Sequence, residues 1–343
     1  MPPKQADPVN VTTLPLRMPW QTQDPFLFCV HHLDAYPKGD AQMGPVASLD
    51  GRQMGSDFSG KDGWSMYHGR VVPGFPRHPH RGFETITVTR QGVIDHSDSL
   101  GATARYGDGD VQWMTAGEGI VHSEMFPLCK DNEDNPTELF QIWMNLPAKS
   151  KFTTPYFTMF WKDAVPVHTL SDAEGRQIVV TTIAGVLNGV APPSPPPESW
   201  ASQTLADTAI WTIDMAPGAT WTIPPSAEGL TRSLYVYRGD TLDVAGTPVT
   251  PNHRASVDSH LAVPLTAGAV PCKLLLLQGR PIGEPVAQHG PFVMNTREEI
   301  RQAFQDYQRT GFGGWPWKRD DPVHEKTEGR FALHPGGRRE TPS

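Results

Sequence analysis

Along most of this chain, apolar residues come in short runs bounded by Gly, Pro, Asn or Asp, which is the pattern of strands and turns. In Phe83-Glu-Thr-Ile-Thr-Val-Thr89, Ile86 and Val88 share one face and Thr85, Thr87 and Thr89 the other, and Gln91-Gly92 closes the run. Further strands are predicted at 26–34, 110–114 and 139–145. At 147–155 the chain changes character and reads as a linker. A second β-rich region follows, with pieces at 177–183, 210–215, 220–223, 233–237, 241–244 and 272–278. The proline-rich segment 192–198 cannot join a ladder and predicts an exposed, polyproline-like loop. One helix is predicted: Thr296 and Glu299 form a capping box, Ile300, Ala303, Phe304 and Tyr307 give one apolar face, and Gly311 ends it.

These elements predict an all-β protein of two tandem barrels with a C-terminal helix. The expected segments are an N-terminal arm over 1–24, a first barrel over 25–147, a second over 148–290, and the helix with a flexible tail over 291–343. Composition agrees, with 32 glycines and 35 prolines in 343 residues. The net charge of −8 and the lack of a basic stripe argue against direct binding to nucleic acid. Three scattered cysteines without a C-x-x-C speak against a disulfide framework and for a reducing compartment. Residues 1–20 lack the pattern of a secretory signal, and no apolar run is long enough to span a membrane. The expected location is cytoplasmic, or nuclear in a eukaryote, with no membrane partner.

The candidate chemistry lies in the first β region. His78-Pro79-His80 is an H-x-H, and two strand residues so spaced point to one side. His122-Ser123-Glu124 repeats the geometry as an H-x-E. Antiparallel strands can bring both pairs together inside a barrel, giving three imidazoles and one carboxylate. That donor set leaves coordination positions open and suits one divalent ion: Fe(II), but also Ni, Cu, Mn or Zn. Glu84 competes with Glu124, because it has the strand parity of His78 and His80 if the strand runs straight through Gly82. Spacing alone leaves both carboxylates open.

At these residues the chain resembles the pirin family of the cupin superfamily. The resemblance rests on His78-Pro-His-Arg-Gly-Phe-Glu84, Gly109-Asp-Val-Gln-Trp-Met-Thr-Ala-Gly117, Gly119-Ile-Val-His-Ser-Glu124, Gln141-Ile-Trp-Met-Asn-Leu-Pro-Ala-Lys149, Gln278-Gly-Arg-Pro-Ile-Gly-Glu-Pro285 and Gln288-His-Gly-Pro-Phe-Val-Met-Asn295. It implies two cupin barrels, a metal in the first held by His78, His80, His122 and Glu124, and a second barrel without metal. It favours Glu124 over Glu84. His253 and His260, seven apart, form no H-x-H, as the resemblance leads one to expect.

The resemblance implies two functions. One is a quercetinase-type dioxygenase that opens flavonols with O2. The other is an iron-dependent, redox-sensing cofactor that binds a transcription regulator or a metabolic enzyme. In the enzyme reading Glu124 is the catalytic base, and Trp113 and Met114 are candidates for the pocket wall, with core packing as their alternative role. His31 and His32 read as structural or near the rim. His96, His168, His324 and His334 read as surface residues.

Overall fold

The computed structural model describes residues 8–342 of the chain. The all-β architecture expected from the sequence is present, with one C-terminal helix. The chain divides into two compact units, residues 29–163 with 284–343, and residues 1–28 with 164–283.

In the first unit, two sheets form a jelly-roll barrel. One runs in the order Tyr156–Phe160, Val111–Thr115, Phe83–Gln91, Asn135–Asn145 and Phe26–Tyr36. The other runs Arg339–Glu340, Phe331–Leu333, Thr103–Gly107, Val93–Asp98, Ile120–Met125 and Gly74–His80. Register decides which residues face inward. Thr85 pairs with Met114 and Trp143, and Thr87 with Gln112 and Gln141, so these six share one face. Glu84, Ile86, Trp113 and Thr115 share the other. On the second sheet His78 lies opposite His122, and His96 opposite Glu124.

The helix Arg297–Thr310 carries the predicted cap. Glu299 N donates to Thr296 Oγ1 (3.2 Å), Thr296 N donates back to Glu299 Oε2 (2.8 Å), and Gly311 ends the helix at φ +56°. A cap of this kind contributes about 1 kcal/mol. Ile300 and Ala303 are buried against Phe292, Met294 and Phe312.

The segment read as a linker is anchored. Lys151 is 1% exposed, and its Nζ donates to Gly82 O (2.8 Å), Asn145 Oδ1 (2.7 Å) and Val293 O (3.2 Å). A lysine in the run Lys149-Ser-Lys-Phe152 looks solvated in a sequence, and only three converging acceptors make its burial tolerable. The tail expected to be flexible is also ordered. Phe331–Leu333 adds to the Thr103–Gly107 strand, and Arg105 explains why the tail docks. Its guanidinium grips Asp95 in two bonds of 2.7 Å and reaches the carbonyls of His324, Glu325 and Glu328.

In the second unit, Val11–Pro15 forms the edge of a seven-stranded sheet by pairing with His253–Val257. The described part of the arm expected over 1–24 is therefore not loose. The remaining strands of that sheet are Thr231–Arg238, Cys272–Gly279, Ala209–Met215, Gln177–Ala184 and Val167–Ser171. The barrel interior is apolar, with Trp211, Ile213, Leu234, Val236, Leu274 and Leu276 at the positions that face inward. The proline segment lies outside any strand, though Pro196 is buried against its own unit.

Candidate metal centre

Both histidine pairs are brought together by strand pairing. The strands Gly74–His80 and Ile120–Met125 run antiparallel, with a register shift between Phe75 and His78. The ring of His78 then stands 4.4 Å from that of His122 and 4.7 Å from that of His80, and His80 is 4.8 Å from His122. One ring nitrogen from each lies within 4.8 Å of the other two, and among the described residues no other group of this kind is found.

The imidazoles are built to be neutral donors. Burial pulls the pKa of His80 and His122 well below the ordinary value, and that of His78 down to about 4. His78 Nδ1 lies 2.9 Å from the carbonyl of Pro76 and His80 Nδ1 3.4 Å from that of Pro291, contacts that leave Nε2 with its lone pair free. Both ring nitrogens of His122 are buried with no protein partner. A buried polar atom left orphaned costs free energy unless something outside the polypeptide satisfies it, so these residues fit a metal ion.

Glu124 stands beside the triad, its Oε2 4.0 Å from His122 Nε2. Gln141 Nε2 donates to Oε2 (3.0 Å), and the Thr87 hydroxyl lies 3.1 Å from Oε1 and 2.7 Å from Gln141 Oε1. Burial raises the Glu124 pKa, and His96, Thr87 and Gln141 pull it back. Glu84 is elsewhere. Gly82 takes φ +85°, where a side chain would meet the carbonyl oxygen of Val293 at 2.0 Å. The strand does not run straight through that residue. Glu84 therefore emerges on the opposite face, where its Oε1 accepts from Thr115 Oγ1 (2.7 Å).

Trp113 and Met114 are adjacent strand residues and point to opposite faces. Met114 faces the same side as Thr85 and packs with Ala116 and Ile120. Trp113 faces away, and its ring lies 6.1 Å from that of Phe160. The ring that stands over the site is Trp143, 5.0 Å edge-on from His80 and stacked at 3.9 Å on Phe83.

His96 is a correction to the sequence reading. It is completely buried, not a surface residue, with Nε2 3.2 Å from Asp98 Oδ2 and its ring 5.5 Å from His122. The available signal was His96-x-Asp98, the same one-in-two spacing as the two recognised pairs. His334 is buried and His324 bonds Thr103 Oγ1 at 3.1 Å, both through the docked tail; His168 is half-buried. His31 and His32 are structural, meeting Glu138 Oε1 (3.1 Å) and the Tyr67 hydroxyl (2.9 Å).

The depressed histidines predict how metal-free protein responds to acid. Between pH 6.5 and about 4, unfolded histidines bind protons while the buried ones do not, so protons favour the unfolded chain and stability falls as pH drops through that window. His78 alone contributes at most about 3 kcal/mol of this loss. Thermal midpoints of metal-free protein from pH 7 to 4 check the expectation, and a flat profile contradicts it.

Known proteins resemble the chain along most of its length. The Pirin family matches residues 20–144 and the Pirin C-terminal cupin domain residues 210–313. A pirin-like protein of Caulobacter vibrioides is 36% identical over 247 residues, 70% of this chain and 80% of that protein. A Pseudomonas aeruginosa protein provisionally named quercetin 2,3-dioxygenase is 39% identical over 246 residues, 69% of this chain and 79% of that one. The crystal structure of quercetin 2,3-dioxygenase from Acinetobacter baumannii covers 85% of this chain, and 87% of its own, at a TM-score of 0.67 and 27% identity. Among the described residues, no helix is long and apolar enough to cross a membrane. Two family matches, one in each β region, and relatives that align over more than two thirds of the chain lead to one conclusion: this chain is a member of the pirin family and carries its two cupin barrels.

Proposed function

We infer that the protein is a metal-dependent dioxygenase that opens flavonols of the quercetin type with O2, holding one divalent ion, Fe(II) in the first instance, through His78, His80, His122 and Glu124. The observation that carries this reading is three neutral imidazoles and a buried carboxylate beside a cleft of about 550 Å3 that reaches His78 from the surface. That volume suits a small aromatic ligand. The relatives named quercetin 2,3-dioxygenase support the same chemistry.

A divalent ion bound there would act as a Lewis acid toward the 3-hydroxyl and carbonyl of the flavonol. The protein's own part is to receive the proton and exclude water. Glu124 would be the acceptor with its carboxylate released from the ion, where Gln141 holds its Oε2 in place. Phe75 and Trp143 pack edge-on against His78 and His80 and shield the donors from bulk solvent. Quercetin added to iron-loaded protein in air is expected to give carbon monoxide and a ring-opened product. If neither forms while the metal stays bound, the dioxygenase reading fails for that substrate and a metal-holding binding protein takes its place.

A further inference from the structure

The family match ends at residue 313, yet the chain beyond it is fastened to the metal-bearing unit. Trp317 Nε1 donates to the carbonyl of Asp98 (2.8 Å), and His324 N to Asp95 Oδ2 (2.8 Å). Arg330 pairs with the fully buried Asp110 at 2.7 Å, and Phe331 and Ala332 are buried in the sheet. Between the first two anchors, residues 318–323 are held against the mouth of the metal cleft. There the backbone N–H of Arg77, the residue before His78, donates to the carbonyl of Asp320 (2.6 Å), and Arg77 Nε lies 3.3 Å from Asp320 Oδ1. Asp321 is braced by Arg319 (2.9 Å), and both aspartates line the cleft together with Phe75, Arg70 and His78.

The cleft is therefore lined by unlike groups, with Arg70 and Arg77 among them. One set is aromatic: Phe75 stacks on Tyr67 at 5.1 Å and meets His68 edge-on at 5.8 Å. Another set is the carboxylates of Asp320, beside Arg77, and of Asp321, held by Arg319 in two bonds. A flat ring lying on Phe75 can reach those carboxylates across the same cleft, and ionised carboxylates accept hydrogen bonds from phenolic O–H groups and cannot donate any. We propose that the extension after residue 313 is the substrate-selecting rim of the metal cleft, with Asp320 and Asp321 choosing ring systems that bear free hydroxyls on the edge away from the metal. The choice of a flavonol as the substrate rests on the dioxygenase reading; the rim itself rests on the contacts above.

Selection works by what is left unpaired. A bound ring without hydroxyls covers the carboxylates, strips water from them and returns no hydrogen bond. Because the side chain of Asp320 is 64% exposed, much of that loss is made up by solvent, and the discrimination is modest, roughly tenfold.

The experiment compares quercetin, which has two hydroxyls on its pendant ring, with galangin, which has none there. It uses the metal-loaded full chain and the double variant Asp320→Asn/Asp321→Asn. In the unsubstituted protein kcat/KM for quercetin is expected to exceed that for galangin about tenfold, and in the variant the ratio falls to about one to three while metal content stays the same. The asparagine amides keep the size of the side chains, so a change in ratio reports hydrogen bonding and not a wider opening. Turnover with the same ratio in both proteins overturns the rim proposal and leaves the dioxygenase reading standing. Equilibrium binding to both flavonols, followed by tryptophan fluorescence, covers the opposite case. Binding that prefers quercetin, loses that preference in the variant and gives no turnover supports the rim and sinks the dioxygenase reading. Binding of neither flavonol overturns both.

Discussion

Replacing His122 with alanine is expected to yield a folded protein with almost no bound metal and no turnover of quercetin. His122 is fully buried, its ring lies within 5 Å of both other imidazoles, and neither of its nitrogens has a partner in the polypeptide. Substitution of groups that merely support a metal ligand costs about 10–100-fold in affinity, and loss of a ligand exceeds that. No protein hydrogen bond is broken, and the void left by the ring costs on the order of 2–4 kcal/mol, which the fold survives. Metal analysis of purified protein and a melting curve with and without added Fe(II) are the measurements. Binding of metal to the folded state raises the unsubstituted protein's melting point by linkage, about 4 kcal/mol at a thousandfold excess over Kd, and leaves the variant's unmoved. Glu124→Gln is expected to weaken metal retention and to slow turnover further, since it loses both the charge and the proton acceptor. Glu84→Gln is expected to keep the metal. Loss of metal in Glu84→Gln alone would reverse the assignment of the carboxylate.

The second large effect is at Arg105. Its removal leaves Asp95, a carboxylate with no exposure to water, without its countercharge and with the His324 N–H as a remaining donor, and frees three carbonyls of the extension at once. Breaking a buried pair by deleting one partner costs about 3–5 kcal/mol. Arg105→Ala should therefore lower the melting temperature by several degrees and expose the chain after Gly314 to proteases. Limited proteolysis followed by mass measurement checks this. A variant that melts as the parent does and resists cleavage would show that the extension is held by Phe331–Leu333 and Arg330 without help from the ion pair.

Much of the site was legible because strand geometry is simple. The one-in-two spacing of His78 with His80, and of His122 with Glu124, already placed each pair on a common side, and the fold had only to bring two strands together. Spacing could not choose between Glu84 and Glu124. That choice depends on the left-handed turn at Gly82, and a glycine in a sequence does not announce its own φ. His96 was missed for a different reason. Flanked by Asp95, Ser97 and Asp98 it reads as a solvated stretch, yet every one of these residues is buried, each satisfied by a partner that the hairpin brings alongside. Asp95 finds Arg105, Ser97 finds Thr103, and Asp98 caps the turn at Leu100 and Ala102. The same blindness made the tail look loose, because the groups that dock it, Arg105 on its backbone carbonyls and Asp110 on Arg330, lie more than two hundred residues away. The apolar second barrel was the easiest to read, since Lys273-Leu-Leu-Leu-Leu-Gln278 can only be a strand covered on both sides.

In each barrel one edge pairing joins strands more than two hundred residues apart in sequence. The strand Val11–Pro15 waits for His253–Val257, and Thr103–Gly107 waits for Phe331–Leu333. At synthesis rates of roughly 5–20 residues per second, those partners emerge from the ribosome many seconds apart. Neither barrel can close during translation until its late strand has been made. Through that interval two sheet edges remain open to rival strands, and chaperone demand in the cell should be highest there.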